Sequence, residues 1–150
     1  MNVLSAIVAG LVATLVMSIV LALAPKMGFP KMDIVGMLST MFSKKSVPVL
    51  GWMMHLMMGV FFALIYAFLW SKGIGATTWI YGFVFGAAHW LIVGVIFLMV
   101  PMVHVGIRSG TVKEPGLYMT NNGGSWRAFI GGMMGHMIFG LVVTWLYALI

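Results

Sequence analysis

Val47-Pro-Val-Leu-Gly51-Trp-Met-Met-His55-Leu-Met-Met-Gly59-Val-Phe-Phe-Ala-Leu-Ile-Tyr66-Ala-Phe-Leu-Trp70 contains no Asp, Glu, Lys or Arg. It exceeds the roughly 20 residues that an α-helix needs to cross the hydrocarbon core of a bilayer. Three more uncharged apolar runs surround it, at 3–24, 78–100 and 128–150. The expected fold is therefore all-α, a four-transmembrane-helix bundle forming one membrane domain over residues 1–150, with spans at 3–24, 47–70, 78–100 and 128–150. Composition agrees. Apolar residues make up 63% of the chain and charged residues 7%, against roughly 25% charged in a soluble domain, so a water-facing surface could not be covered.

The first span lacks a positive n-region and a small-residue cleavage site, and it is too long for a signal-peptide core. It is expected to stay in the mature protein. The chain has no cysteine, which excludes disulfides, thiolate metal sites and cysteine nucleophiles.

The formal charge of +6 is unevenly placed. Lys26, Lys31, Lys44 and Lys45 lie between the first two spans, and Arg108, Lys113 and Arg127 between the last two. The connection between the second and third spans holds only Lys72. The positive-inside rule puts loops 25–46 and 101–127 in the cytoplasm and both termini outside, in a prokaryotic inner membrane. The basic charge reads as a topology signal and a contact for anionic lipid. Nucleic acid is a poor partner, because no basic stripe with interleaved aromatics stands on a soluble element.

Between the first two spans, Ile34, Val35, Leu38, Met41 and Phe42 fall on one helical face, with Asp33 at the start and Lys44-Lys45 at the end. This pattern fits the helix dipole and predicts a short interfacial helix over about 33–44, whose Met-rich face could equally pack under the bundle. The connection 71–77 is short and predicts an antiparallel hairpin. The long connection 101–126 is rich in Gly, Pro, Asn and Ser, with Asn122-Gly123-Gly124-Ser125 reading as a turn and Ser125 as an N-cap.

A motif is written twice. Gly51-Trp-Met-Met-His55-Leu-Met-Met-Gly59 recurs as Gly132-Met-Met-Gly-His136-Met-Ile-Phe-Gly140, and each is followed by a Tyr-Ala pair, Tyr66-Ala67 and Tyr147-Ala148. Gly10-Leu-Val-Ala-Thr14-Leu-Val-Met17 in the first span parallels Gly82-Phe-Val-Phe-Gly86-Ala-Ala-His89 in the third, and both spans end at a proline, Pro25 and Pro101. Two helix-hairpin repeats of like orientation are expected, related by an axis along the membrane normal.

At 1.5 Å rise per residue, His55 and His136 sit about 10–12 Å below the cytoplasmic boundary. An ionisable residue at that depth is a functional-site hypothesis by default. Three readings stand beside one another. In the first, His55 and His136 are polar glue and the four-residue glycine spacing serves close helix approach. In the second, diagonal second and fourth spans point His55 and His136 at each other as haem b ligands, with Gly51, Gly59, Gly132 and Gly140 forming flat slots beside them. In the third, His55, His136, Met54, Met58, Met133 and Met137 hold Cu(I), a soft ion suited to thioether and imidazole. Methionine is abundant, 16 residues, yet it is also a flexible filler of irregular cores. His89 is a further polar candidate, expected as a hydrogen-bonded core histidine, and His104 is expected in solvent.

Enzyme templates find little purchase. The only carboxylates, Asp33 and Glu114, are both in loops, so a paired-acid site is hard to build. No phosphate loop, zinc helix motif or nucleophile elbow is present. The segments 10–18, 27–33 and 51–55 and the pair Gly135-His136 together resemble an uncharacterised family of small prokaryotic four-helix membrane proteins. The resemblance implies a fold and a membrane address, transfers no catalytic residue, and adds interest to Asp33 in Pro30-Lys-Met-Asp33. The expectation is a non-enzymatic structural or accessory membrane protein in a homo-oligomer or larger membrane complex, with haem b binding or copper handling as the alternatives.

Overall fold

The computed structural model describes residues 1–121 and 126–150. Its helices in chain order are α1 (Val3–Leu23), α2 (Ile34–Leu38), α3 (Pro48–Ser71), α4 (Trp79–Ile96), α5 (Val100–Val103), α6 (Val105–Arg108) and α7 (Trp126–Leu149). No strand occurs among the described residues. Four helical stretches, Val3–Met27, Pro48–Ser71, Trp79–Ile96 and Trp126–Leu149, are long and apolar enough to cross a membrane. The chain is an all-helical bundle consistent with a multi-pass membrane protein. The turn at Asn122–Ser125 and the Ser125 cap lie outside the described residues.

Prolines set two of the helix ends. Pro25 lacks the N–H that Leu21 would need, so α1 tightens into a 3₁₀ turn, Ala24–Met27. Gly28 closes it at φ +84°, with its N–H donating to the Pro25 carbonyl. That left-handed position favours glycine. Pro101 likewise offers no N–H to Phe97. The third span's helix therefore ends at Ile96 rather than near residue 100, and Leu98 and Met99 make tighter bonds to Val95 and Ile96.

The helix expected over 33–44 is shorter, Ile34–Leu38. Asp33 caps it, its side chain accepting from the Gly36 N–H at 2.8 Å. Ser39 and Thr40 end it, because their hydroxyls donate to the carbonyls of Gly36 and Met37 and compete with helix continuation. The chain then doubles back until the Val47 N–H reaches the Ser39 carbonyl at 2.9 Å. Burial departs from the expected apolar face. Met37, Leu38, Ser39 and Thr40 are enclosed, whereas Phe42 is exposed and Lys44-Lys45 lie beyond the helix end.

The long helices neighbour one another in the order α3–α1–α7–α4, with close backbone approach at each step. Small residues make the approach. A Cβ on Gly10 would sit 2.8 Å from Val60 Cα, and one on Gly59 would strike the Thr14 hydroxyl. On the other side, a Cβ on Gly86 would strike the His136 carbonyl, and one on Gly140 the Gly82 carbonyl. Membrane helices gain nothing from burying apolar surface away from lipid, so such close packing is what holds them together.

The fourth side is different. The short 71–77 turn makes α3 and α4 antiparallel neighbours, but their backbones stay apart and large rings fill the gap. Phe62 stacks on His89 at 3.6 Å between centroids, Trp70 stacks on Phe85 at 5.9 Å, and Tyr66 meets Phe85 at 5.2 Å. Phe139 of α7 lies fully buried against Tyr66 and His89 at the centre.

Candidate functional site

Three histidines from three helices border one cavity of about 220 Å³ in the half of the bundle nearest α2. His55 comes from α3, His89 from α4 and His136 from α7. The remaining wall is almost wholly apolar. Met17, Met37, Met54 and Met58 and three phenylalanines contribute to it.

The close histidine pair is His89 with His136, whose ring centroids are 4.7 Å apart and nearly perpendicular. His55 shares their cavity but stands against α1. The diagonal relation of α3 and α7 is as the haem reading needs, while the glycine slots are filled. Gly51 abuts the Val35 carbonyl and Ser39, Gly59 abuts Thr14, Gly132 abuts the Trp90 ring, and Gly140 abuts Gly82 and Gly86. Of the methionines in the copper reading, Met54 and Met58 border the cavity and Met133 and Met137 do not. Among the described residues, no three His, Asp or Glu side chains converge closely enough to hold one ion. Asp33 is a helix cap, 4.0 Å from Lys31 at an exposed position.

Hydrogen bonds fix which ring nitrogen of each neutral histidine carries its proton. The Ser18 hydroxyl gives its one hydrogen to the Thr14 carbonyl at 2.7 Å, so its oxygen accepts from His55 Nε2–H at 3.1 Å. His55 Nδ1 is left with a bare lone pair. The His136 Nδ1–H donates to the Gly132 carbonyl at 2.8 Å, leaving Nε2 bare. Tyr66, 3% exposed, has His89 Nδ1 as its hydroxyl's one partner among the described residues, at 3.3 Å. Tyr66 therefore donates, and His89 keeps its proton on Nε2. Two acceptors and one donor result. The only fully enclosed side-chain nitrogens or oxygens without a partner, among the described residues, are Nε1 of Trp70 and of Trp90. The second ring nitrogens of the three histidines thus each keep open space beside them.

A second cavity of about 260 Å³ lies between α1, α3 and the segment leading into α2. Ser18, Lys31, Asp33, Trp52 and His55 border it, so His55 stands between a polar recess and the apolar cavity.

His104 is not solvated. It is 0% exposed, and both ring nitrogens are used: Nε2–H donates to the Met37 carbonyl at 2.9 Å, and Nδ1 accepts from the Ile107 N–H at 3.1 Å. Bonds from Val105 N–H to the Met41 carbonyl and from Gly106 N–H to the Thr40 carbonyl run beside it, each 3.0 Å. The two basic loops are stitched together there, under the cavity floor formed by Met37 and Leu38. Its sequence signal was the position of a histidine just before a short apolar turn, where its side chain can cap α6. No protein family, curated protein or solved structure matches the chain.

Proposed function

We propose that this chain is a non-enzymatic multi-pass membrane protein with a structural or accessory role, working in a homo-oligomer or as a small subunit of a larger membrane complex. The observation that carries the reading is the use of the polar groups at membrane depth. Ser18 bonds His55 and Tyr66 bonds His89 across helices, as interhelical glue does, while Thr14, Ser18, His136 and Thr144 satisfy their donors on carbonyls of their own helices. The proposal includes kinship with the small prokaryotic four-helix membrane proteins that the motifs resemble.

Two matched halves are part of the proposal. Support comes from corresponding contacts: Gly59 against Gly10 and Thr14, and Gly140 against Gly82 and Gly86. His55 then meets Ser18, and His136 meets Trp90 at 4.9 Å between ring centroids, in the same register. The proposed topology has loops 25–46 and 101–127 cytoplasmic, α2 at the interface and both termini outside. It is supported by seven exposed basic residues on the two stitched loops, with Lys72 alone at the other end.

Copper handling is the second reading, favoured by thioethers and imidazoles sharing one cavity. Haem b is less favoured, since about 220 Å³ falls below the roughly 300 Å³ at which pockets for drug-sized ligands begin. Purification from membranes tests all three. The expected protein is colourless and metal-free, has a mass above the 16.4 kDa of one chain, and loses only stability in His55→Ala and His136→Ala. A Soret band abolished in both variants, or stoichiometric copper lost in them, would overturn the accessory reading. So would a lone chain with no partner.

A further inference from the structure

The cavity has a way in from the bilayer. Met58 of α3 is 38% exposed and Ile96 of α4 is 46% exposed, yet both also border the cavity. They lie on the only pair of adjacent long helices whose backbones do not approach closely. The antiparallel pairing that sets Phe62 on His89 brings Met58 and His55 level with Val93 and Ile96. Above this gap the Phe62–His89 stack closes the seam. Below it, α2 and the His104 stitch close the floor. The opening therefore faces lipid rather than either aqueous side.

Size and chemistry restrict what enters. A cavity of about 220 Å³ lies between the roughly 150 Å³ that holds benzene and the roughly 300 Å³ of a drug-sized pocket. It admits one ring with small substituents. The wall is apolar and aromatic, and the polar side chains in it are Thr14, His55, His89 and His136, of which His55 and His136 each keep a bare ring nitrogen. A ligand that meets a bare imidazole nitrogen in an apolar wall must bring a hydrogen-bond donor.

We propose that the cavity binds the hydroxylated aromatic ring of a bilayer-soluble molecule, a phenol or hydroquinone head on an apolar tail. The ring enters between α3 and α4, its hydroxyl donates to His136 Nε2, and its tail trails past Met58 and Ile96 into lipid. The proposal rests on the membrane address of the reading above and not on its oligomeric part.

The test uses the full chain in nanodiscs, titrated with 4-decylphenol and with 4-decylanisole, which keeps ring, oxygen and tail but cannot donate. The phenol is expected to bind about tenfold more tightly, as one buried hydrogen bond allows. His136→Phe should bring the two ligands to equal affinity, and His136→Gln, which restores an acceptor, should recover part of the difference. In the unmutated protein labelled with ¹⁵N-histidine, the phenol should shift the bare His136 Nε2 resonance and the anisole should not. That measurement needs no variant to fold. Equal affinities in the wild-type chain, binding of neither ligand, or an unmoved Nε2 resonance would each overturn the proposal. A discrimination that survives in His136→Phe would do the same. None of these results bears on the mass or colour of the purified protein, so the two readings fail separately.

Discussion

Gly86→Ala probes the contact on which the α4/α7 half of the bundle depends. The added Cβ would strike the His136 carbonyl and lie 2.6 Å from Met137 Cα and 2.9 Å from the His136 carbonyl carbon. All three are main-chain atoms in mid-helix, so no side chain can swing aside. The Met137 contact alone is 0.8 Å short of the 3.4 Å at which ordinary contact begins, and α4 and α7 must part by about that much. A radial gap of roughly 0.5–1 Å forfeits a quarter to a half of the dispersion well at each contact along the seam. Overpacking of this kind costs about 1–3 kcal/mol, and the backbone obstruction puts the site in the upper part of that range. Alanine returns about 1 kcal/mol of helix propensity. The net loss should be about 2 kcal/mol.

Gly131→Ala is the matched control on the facing helix, α7. Its Cβ would meet Met32 Cε at 2.9 Å, the free end of a flexible side chain, and Phe29 ring and Cβ atoms only from 3.4 Å outward. The methionine can yield, so the propensity gain of up to about 1 kcal/mol should survive. Steric-trap unfolding of both variants in bilayers measures the difference directly. Gly86→Ala should fall below wild type while Gly131→Ala matches or exceeds it. Equal stability of the two would refute the claim that α4 and α7 are held by backbone approach at Gly86.

His104→Ala should cost about 1–3 kcal/mol, because the enclosed Ile107 N–H loses its partner and the Met37 carbonyl, still bonded by Thr40, loses its link to the other loop. Hydrogen exchange checks it, with Val105 and Gly106 amides expected to exchange faster and those of α1 unchanged; unaltered exchange would deny the stitch. The cysteine-free sequence permits single-cysteine labelling without background. Lys44→Cys and Lys113→Cys should react with an impermeant maleimide only from the cytoplasmic side, and Lys72→Cys only from the other. Labelling of all three from one side would overturn the topology.

The four long helices were legible because each span lacks charge, and the first helix's end at Pro25 was legible because a missing N–H acts locally, though the third helix stops at Ile96, a turn before Pro101. The partition of interfaces was not. Hydropathy reports how apolar Phe62, Tyr66 and Trp70 are and not which neighbour their rings meet, so nothing in the second span marks it as the side held apart by rings. Nor does a glycine in a membrane helix say whether a cofactor or another helix fills its notch. The sequence signal for the second answer was present in Gly10, Gly82 and Gly86, which supply matching notches on the neighbouring helices. The helix expected over 33–44 failed on Ser39 and Thr40. Periodicity registers only that they lie off the apolar face, while their hydroxyls bond to carbonyls of the same turn. His55 and His136 were found by their repetition. His89 took its place beside His136 through a stack with Phe62, a contact between helices that no spacing within one helix announces.

The position of the cavity follows from the spacing within the motif itself. Gly59 and Gly140 each lie four residues past a histidine, one helical turn away. At the glycine level α3 rests on α1, and α7 on α4, at backbone distance. One turn nearer α2 the same helices carry an imidazole where the glycine was: the His55 ring meets Ser18 of α1, while the α7 backbone at His136 and Met137 still lies against Gly86 of α4. The α3/α4 seam is wide throughout, because its stack of aromatic rings sets the separation. A wide seam beside an α1/α3 pair that carries a ring at the histidine level leaves space there. The space falls at the histidine level, floored by α2 and bordered by the wide seam.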